Sequence, residues 1–231
     1  MHKIENSLAK LKHRLQQAAL QAHREAQDIQ LLAVSKTQPA SVVRMAYQAG
    51  QQVFGENYLQ EALDKQQQLG DLAIEWHFIG SLQSNKTRAI AENFDWVHSV
   101  DRVTIAQRLS SQRPISLKPL NLCLQLNIDS EASKSGLTLT ELTTLATEVI
   151  TLPNLVLRGL MVIPAPRKDF AVQLAVFQQA ADALKQLQRI PGLESLDTLS
   201  MGMSADLEAA VCAGATIVRI GTDIFGPRLA L

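Results

Sequence analysis

Apolar residues along the chain fall into two patterns: short dense runs, and longer stretches where they recur every three or four positions. The dense runs are "LLAVS" (31–35), "QVFGE" (52–56), "WHFIGS" (76–81), "WVHSV" (96–100), "NLCLQLNI" (121–128), "LVLRGLMVI" (155–163), "TLSMG" (198–202) and "TIVRIG" (216–221). Each has the length and apolar density of a buried strand. The second pattern predicts helices. Ile4, Leu8, Leu11, Leu15, Ala18 and Ala22 mark one face of an N-terminal helix. Val42, Met45, Ala46 and Ala49 mark a second, entered at Pro39, and Leu174, Phe177, Ala181, Leu184 and Leu187 a third. "SADLEAAVCAG" offers Ser204 as N-cap and Gly214 as C-terminal stop. Strands alternating with helices imply right-handed βαβ units and a parallel sheet. Eight such units without a domain-breaking linker predict an α/β fold, a single (β/α)8 TIM barrel over residues 1–231 with an extra N-terminal helix. A doubly wound open sheet satisfies the same alternation.

Composition narrows the setting. Lys+Arg and Asp+Glu balance at 22 each, so no global field draws the chain to nucleic acid or to an anionic membrane. No segment is apolar for long enough to span a bilayer, and the N-terminus lacks the apolar core of a signal peptide. Cys123 and Cys212 lie in apolar sequence without metal-ligand spacing. They read as reduced core thiols, hence a cytoplasmic protein.

In a barrel of this kind, chemistry gathers where strands end and βα loops begin. The residues there are polar: Lys36 after the first strand, Glu56 and Asn57 at the second, and Gln83, Asn85 and Lys86 after the third. Ser99 and Asp101 follow from the fourth strand, Asn127 and Asp129 from the fifth, and Met161 from the sixth. Ser200 and Ser204 come from the seventh, and Arg219, Gly221 and Thr222 from the eighth. Desolvation at a strand end lowers an amine pKa, and the neutral amine of Lys36 can form an imine with an aldehyde. A structural lysine paired with Glu56 or another carboxylate is the plain alternative. "SMGMSADLEAA" (200–210) and "VRIGTDIFG" (218–226) combine glycines, hydroxyls and a helix start where such barrels bind phosphate. A cap at Ser204 and simple turns at the glycines would explain each residue singly, but not their meeting at one mouth. An aldehyde-seeking lysine facing a phosphate cradle implies a ligand carrying both groups, such as pyridoxal 5'-phosphate (PLP). Its pyridine nitrogen needs a protein partner. Arg219, two residues before Gly221 and so on the same face of its strand, is the candidate.

The stretches "LLAVSKTQP", "FGENYLQEA", "WHFIGSLQSNK", "HSVD", "LQLNIDSEASKSGL", "GLMVIP", "LSMGMSADLEAA" and "VRIGTDIFG" span almost the whole chain. With them the chain resembles the pyridoxal phosphate homeostasis protein family (the YggS/PROSC group), related to the N-terminal barrel of alanine racemase. The resemblance implies PLP held at Lys36 as an internal aldimine. It implies phosphate binding by Ser204, Gly221 and Thr222, with Ser200 supporting that loop. It places Arg219 at the pyridine nitrogen, and Asn57 and Met161 near the ring. His77, Gln83 and Asn85 belong to the family signature without an assigned role, and His77 reads as a satisfied barrel-interior histidine. Gln38 stands where many relatives carry a second lysine, and "FGPRLAL" leaves no length for the second domain of alanine racemases.

Three functions compete. The chain is a PLP carrier that buffers or delivers the cofactor, or a PLP-dependent amino-acid racemase, or a PLP-independent Schiff-base enzyme on a phosphorylated metabolite. A racemase needs an acid or base on each face of the substrate carbon. Lys36 serves one face, and neither Tyr47, within a helix pattern, nor Tyr58, opening one, suits the other. The carrier is therefore favoured: a cytoplasmic monomer without appreciable turnover, with PLP and PLP-dependent apo-enzymes as partners. Lys134 in "ASKSG" is either a secondary PLP acceptor or a solvated loop lysine.

Overall fold

The computed structural model describes residues 2–129 and 135–226. The helix α1 (His2–Gln21) and a 3-10 turn (Ala26–Asp28) precede the sheet. β1 (Gln30–Val34), α2 (Ala40–Gln48), β2 (Val53–Glu56), α3 (Leu59–Gln68), β3 (Glu75–Phe78) and α4 (Thr87–Asn93) form the first units. β4 (Trp96–Val100), α5 (Val103–Gln112), β5 (Leu120–Leu126), α6 (Leu139–Val149) and β6 (Leu155–Val162) continue the alternation. α7 (Phe170–Leu187), β7 (Thr198–Ser200), α8 (Leu207–Cys212), β8 (Ile217–Ile220) and α9 (Thr222–Phe225) complete it. The strands pair in parallel in chain order and close as a barrel, which removes the open-sheet alternative.

Closure is made by β1 and β8, with Gln30 opposite Ile217 and Ala33 opposite Ile220. A closed barrel buries each strand on both faces, which is why the strand sequences are continuously apolar. Outward residues such as Ala33, Phe54, Val97 and Leu124 pack against the helices in the main core. Inward residues form a second cluster of Leu32, Ile79, Trp96, Cys123, Met161 and Ile217 along the axis.

The predicted face of α1 is buried through Leu8, Leu11, Leu15 and Ala18. This helix lies against α8 and α9. Arg14 forms a bidentate pair with Glu208 (2.6 and 2.6 Å) and reaches Asp223 (2.9 Å). Arg24 donates to the carbonyls of Val211 (3.0 Å) and Ala215 (2.8 Å) at the end of α8. Gly214, left-handed at φ 102°, stops α8 as expected.

Three local expectations are corrected. α2 buries Ala40, Val43 and Ala46; of the predicted stripe of Val42, Met45, Ala46 and Ala49, only Ala46 is fully buried and the other three are half-buried. "ASVVRMAYQAG" is apolar enough for two stripes. Cys212 is partly exposed, at the last turn of a surface helix, whereas Cys123 is buried in the barrel. Ser204 is not the cap of α8: the chain makes a turn first, and Asp206 takes the N-cap position with its carboxylate accepting from the Met203 amide (2.6 Å). Among the described residues, no helix is long and apolar enough to cross a membrane.

Because Leu11 is 3% exposed on the only face α1 shares with the barrel helices, Leu11→Ala should cost about 2–5 kcal/mol in urea unfolding. A loss below about 0.5 kcal/mol would mean that α1 packs without load.

Candidate functional site

Lys36 follows β1, and the chain on both sides of it is tied to a buried ionic cluster. Lys65, on α3, is 3% exposed. Its ammonium donates to the Ser35 carbonyl (2.7 Å), to Glu56 Oε1 (2.7 Å) and to Glu61 Oε1 (2.6 Å). Those bonds use all its hydrogens. The Ser35 hydroxyl also donates to Glu56 Oε1 (2.6 Å), and the Thr37 amide donates to Glu61 Oε1 (2.6 Å). Thr37 is left-handed at φ 65°, an uncommon conformation for a β-branched residue that this amide bond helps hold. Glu56 is paired with Lys65. Burial pushes the Glu56 carboxyl up in pKa, while Lys65 and Ser35 oppose the shift.

Arg219 enters from β8 into the barrel interior. Its Nη1 donates to the Ser200 carbonyl (2.5 Å) and hydroxyl (2.8 Å), and its Nη2 to the Val162 carbonyl (2.9 Å). Burial lowers its pKa to about 10, which still leaves it a cation at neutral pH.

The loops after β7 and β8 meet beside it. Gly202 is left-handed at φ 93°, and a Cβ there would lie 2.5 Å from Ala210 Cβ, so only glycine lets the loop fold onto α8. The amides of Ile224 and Phe225 bond back to the Gly221 carbonyl (3.0 and 2.9 Å). The amides of Ser204, Ala205, Thr222 and Asp223 have no acceptor among the described residues. Neither do the Ser204 and Thr222 hydroxyls, so the donors of the two loops are available to an anion.

These parts surround one cavity of about 270 Å³. Six of the residues singled out in the sequence line it: Lys36, Asn57, Ser204, Arg219, Gly221 and Thr222. Gln38 lines it too. Met161 and Ser200 lie one layer below, Met161 in the axial cluster and Ser200 bonded to Arg219. Ile79, Ile163, Met203 and Phe225 complete the walls. An apolar wall carries no chemical signature in a sequence, so reasoning from polar strand ends passed over them. Asn57 Oδ1 is buried without a hydrogen-bond partner among the described residues. A ligand that accepts at Arg219, places an anion at Ser204 and Thr222 and offers an electrophile to Lys36 would match these polar groups. A phosphorylated heteroaromatic aldehyde has that set.

Other expected strand-end residues lie elsewhere. Gln83 and Asn85 are on an exposed bend. Asp129 accepts from the Ala165 amide (2.5 Å) and pairs with Arg167. His77 is fully buried and bonded at both ring nitrogens, as a satisfied interior histidine should be. Lys134 lies outside the described residues. Among the described residues no cluster of His, Cys, Asp and Glu could hold a metal ion.

Comparison with known proteins is consistent across sequence and structure. The profile of the family described as "Alanine racemase, N-terminal domain" matches residues 7–228. A "Pyridoxal phosphate homeostasis protein" of Pseudomonas aeruginosa is 57% identical over 228 residues, covering 99% of this chain and 97% of that protein. A protein of the same name from Escherichia coli K12 is 53% identical over 232 residues, covering 99% and 98%. The structure of PipY from Synechococcus elongatus "with PLP bound" superposes with a TM-score of 0.85 at 40% identity, covering 96% of this chain and all of that one. Alanine racemase of Corynebacterium glutamicum shares the fold alone, at 18% identity and a TM-score of 0.68.

Lys65→Met should destabilise the protein by about 3–5 kcal/mol, because it strands the Glu56 carboxylate in the interior. Adding Glu56→Gln to it should recover much of that loss in urea unfolding. Additive losses in the double variant would mean that the two side chains act independently.

Proposed function

We propose a function from one premise: the chain belongs to the alanine racemase N-terminal domain family, and within it to the pyridoxal phosphate homeostasis proteins. It binds PLP in the cavity at the C-terminal mouth of the barrel and buffers or delivers it. The observation that carries this reading is the meeting of Lys36, Arg219 and the unengaged Ser204 and Thr222 donors around one cavity. Bound PLP supplies an aldehyde that exchanges reversibly between amines and a ring that withdraws electrons.

The chain's own residues define how it is held. Lys36, whose flanking backbone is clamped by Lys65 and Glu61, provides the amine for covalent attachment. Ser204, Gly221 and Thr222 take the phosphate with neutral donors. Arg219 has donors only and stays protonated, so it offers a hydrogen bond to the pyridine nitrogen without handing over a proton. Asn57, which lines the cavity, would lie beside the ring. Met161 supports the ring from below, and Ser200 holds Arg219.

The same residues argue for a carrier over a racemase. Among the described residues the cavity lining contains no histidine, tyrosine, cysteine or carboxylate to act as a second proton-transfer group opposite Lys36. Arg219 leaves the ring nitrogen unprotonated, which weakens the ring as an electron sink. The protein acts as one cytoplasmic barrel domain and a monomer, passing PLP to PLP-dependent apo-enzymes.

Borohydride reduction followed by mass spectrometry should place the pyridoxyl group on Lys36, and Lys36→Ala should abolish the visible absorption band while the fold survives. A band of full intensity in that variant would move the attachment to another lysine. Ser204→Ala should weaken PLP binding about tenfold or more, since a hydrogen bond to a charged group is worth about 1.5–3 kcal/mol. Single-enantiomer alanine should show neither racemisation nor solvent deuterium at Cα; turnover of about 1 s⁻¹ or faster would restore the racemase.

A further inference from the structure

Below the cavity, the barrel axis carries a chain of polar side chains that cofactor contact does not account for. Glu75 starts β3 with a side chain 40% exposed. Its Oε1 lies 2.7 Å from His77 Nε2, and His77 Nδ1 lies 2.8 Å from His98 Nε2. His98 Nδ1 lies 2.8 Å from Ser200 Oγ, which accepts from Arg219 Nη1 at 2.8 Å. The chain therefore runs without a break from the strand-entry end of the barrel to the guanidinium under the cavity.

Its two ends set the direction of every proton. Arg219 can only donate, so the Ser200 hydroxyl hydrogen is left for His98 Nδ1. His98 then carries its proton on Nε2 and donates to His77 Nδ1. His77 likewise carries its proton on Nε2 and donates to the Glu75 carboxylate, which can only accept. Both imidazoles are neutral and in the same tautomer.

We propose that His77 and His98 are positioning residues for Arg219, and that a proton gained by either imidazole is delivered as the same change at Ser200. If His98 gains it, Nδ1 becomes a donor toward Ser200. If His77 gains it, His77 Nδ1 becomes a donor, His98 must accept at Nε2, and its own proton moves to Nδ1. In both cases Ser200 Oγ faces two donors and its hydrogen must turn elsewhere, with the added positive charge one hydroxyl away from Arg219 when His98 holds it and one imidazole further when His77 does. The seat of the guanidinium is weakened.

The surroundings favour the neutral chain. His77 stacks on Trp96 (5.2 Å, 11°), with Glu75 and Asp95 as the nearby acids. His98 faces His77, Arg219 and the Trp96 ring. Arg158 covers the other side of Trp96 at 5.0 Å and is itself paired with Asp197. Cys123 is kept a neutral thiol, pushed up to about 12, and Asp206 is the carboxylate acting on Arg219. Burial lowers both histidine pKa values, that of His98 well below the ordinary range. Folding therefore favours the neutral rings, and the stability they confer is complete above ~6.5 and lost as pH falls through the lowered values.

The tautomers can be read directly on the ligand-free wild type by ¹⁵N NMR of the imidazoles. Both rings should be Nε2–H at neutral pH, and on acidification the two should titrate as one unit, with His98 switching to Nδ1–H. An Nδ1–H ring at either position at neutral pH, or independent titrations on acidification, would overturn the proposal. PLP affinity rests on the function proposed above and is tested separately. His98→Gln keeps a donor and an acceptor but takes no proton, so it should bind PLP within about threefold of wild type and lose the acid-dependent weakening that tracks the NMR titration. His98→Leu should bind about tenfold more weakly; wild-type affinity in that variant would refute positioning. Failure of the wild type to take up PLP would sink the proposed function and leave the tautomer pattern to be judged on its own spectra.

Discussion

The pairing of β1 with β8 is the interaction on which the site depends. Four matched positions, Gln30–Ile217 through Ala33–Ile220, close the cylinder and set Leu32 beside Arg219. A doubly wound open sheet built from the same units would leave β1 inside the sheet and β8 at an edge, unpaired with each other. Closure also demands close approach: a Cβ on Gly221 would lie 3.1 Å from the Val34 carbonyl. On the outside, α1 bridges the two helices that follow the β7 and β8 loops, through the Arg14 pair with Glu208 and Asp223. The N-terminal helix thus braces the part of the rim made by the end of the chain.

Two buried polar systems then divide the labour. At the rim, Lys65 satisfies Glu56, Glu61 and the Ser35 carbonyl, and so orients the loop bearing Lys36. On the floor, Ser200 and Val162 hold Arg219, and the histidine chain holds Ser200. Buried ions are tolerable only when fully partnered, and each system comes close to that condition. The unpartnered oxygens mark where it is broken: Asn57 Oδ1, on a residue that lines the cavity, and Glu56 Oε2, inside the rim cluster. For neither does the structure offer a partner among the described residues.

This division gives the cavity its character. Its polar groups are few, directional and fixed from outside, while its walls, at Ile79, Ile163, Met203 and Phe225, are apolar. Ile163 and Met203 are 39% and 38% exposed, so the mouth is open to solvent. Few orienting donors and an open mouth are what the proposed role of holding and releasing PLP draws on.

Much of this was legible in the residues themselves. Eight apolar runs alternating with helical periodicity follow from local backbone geometry, and they defined the barrel units. Polar residues at the ends of such runs, Lys36, Asn57, Arg219 and Thr222, stood out because a buried strand has little reason to end on them. Ser204 was found as a loop donor but misread as a cap, since one turn of backbone shifts which side chain meets the helix start. Met161 and Ser200 were placed at the mouth although they lie a layer below, because sequence orders residues along a strand without giving their depth in a tilted barrel. The link from Glu75 through His77, His98 and Ser200 to Arg219 had no trace in local pattern. It joins four different strands, and its 2.7–2.8 Å spacings exist only in the register that packing around the axis selects. Periodicity is a property of neighbouring residues and can be read from them; contact across a barrel depends on strand tilt and stagger, which all eight strands decide together.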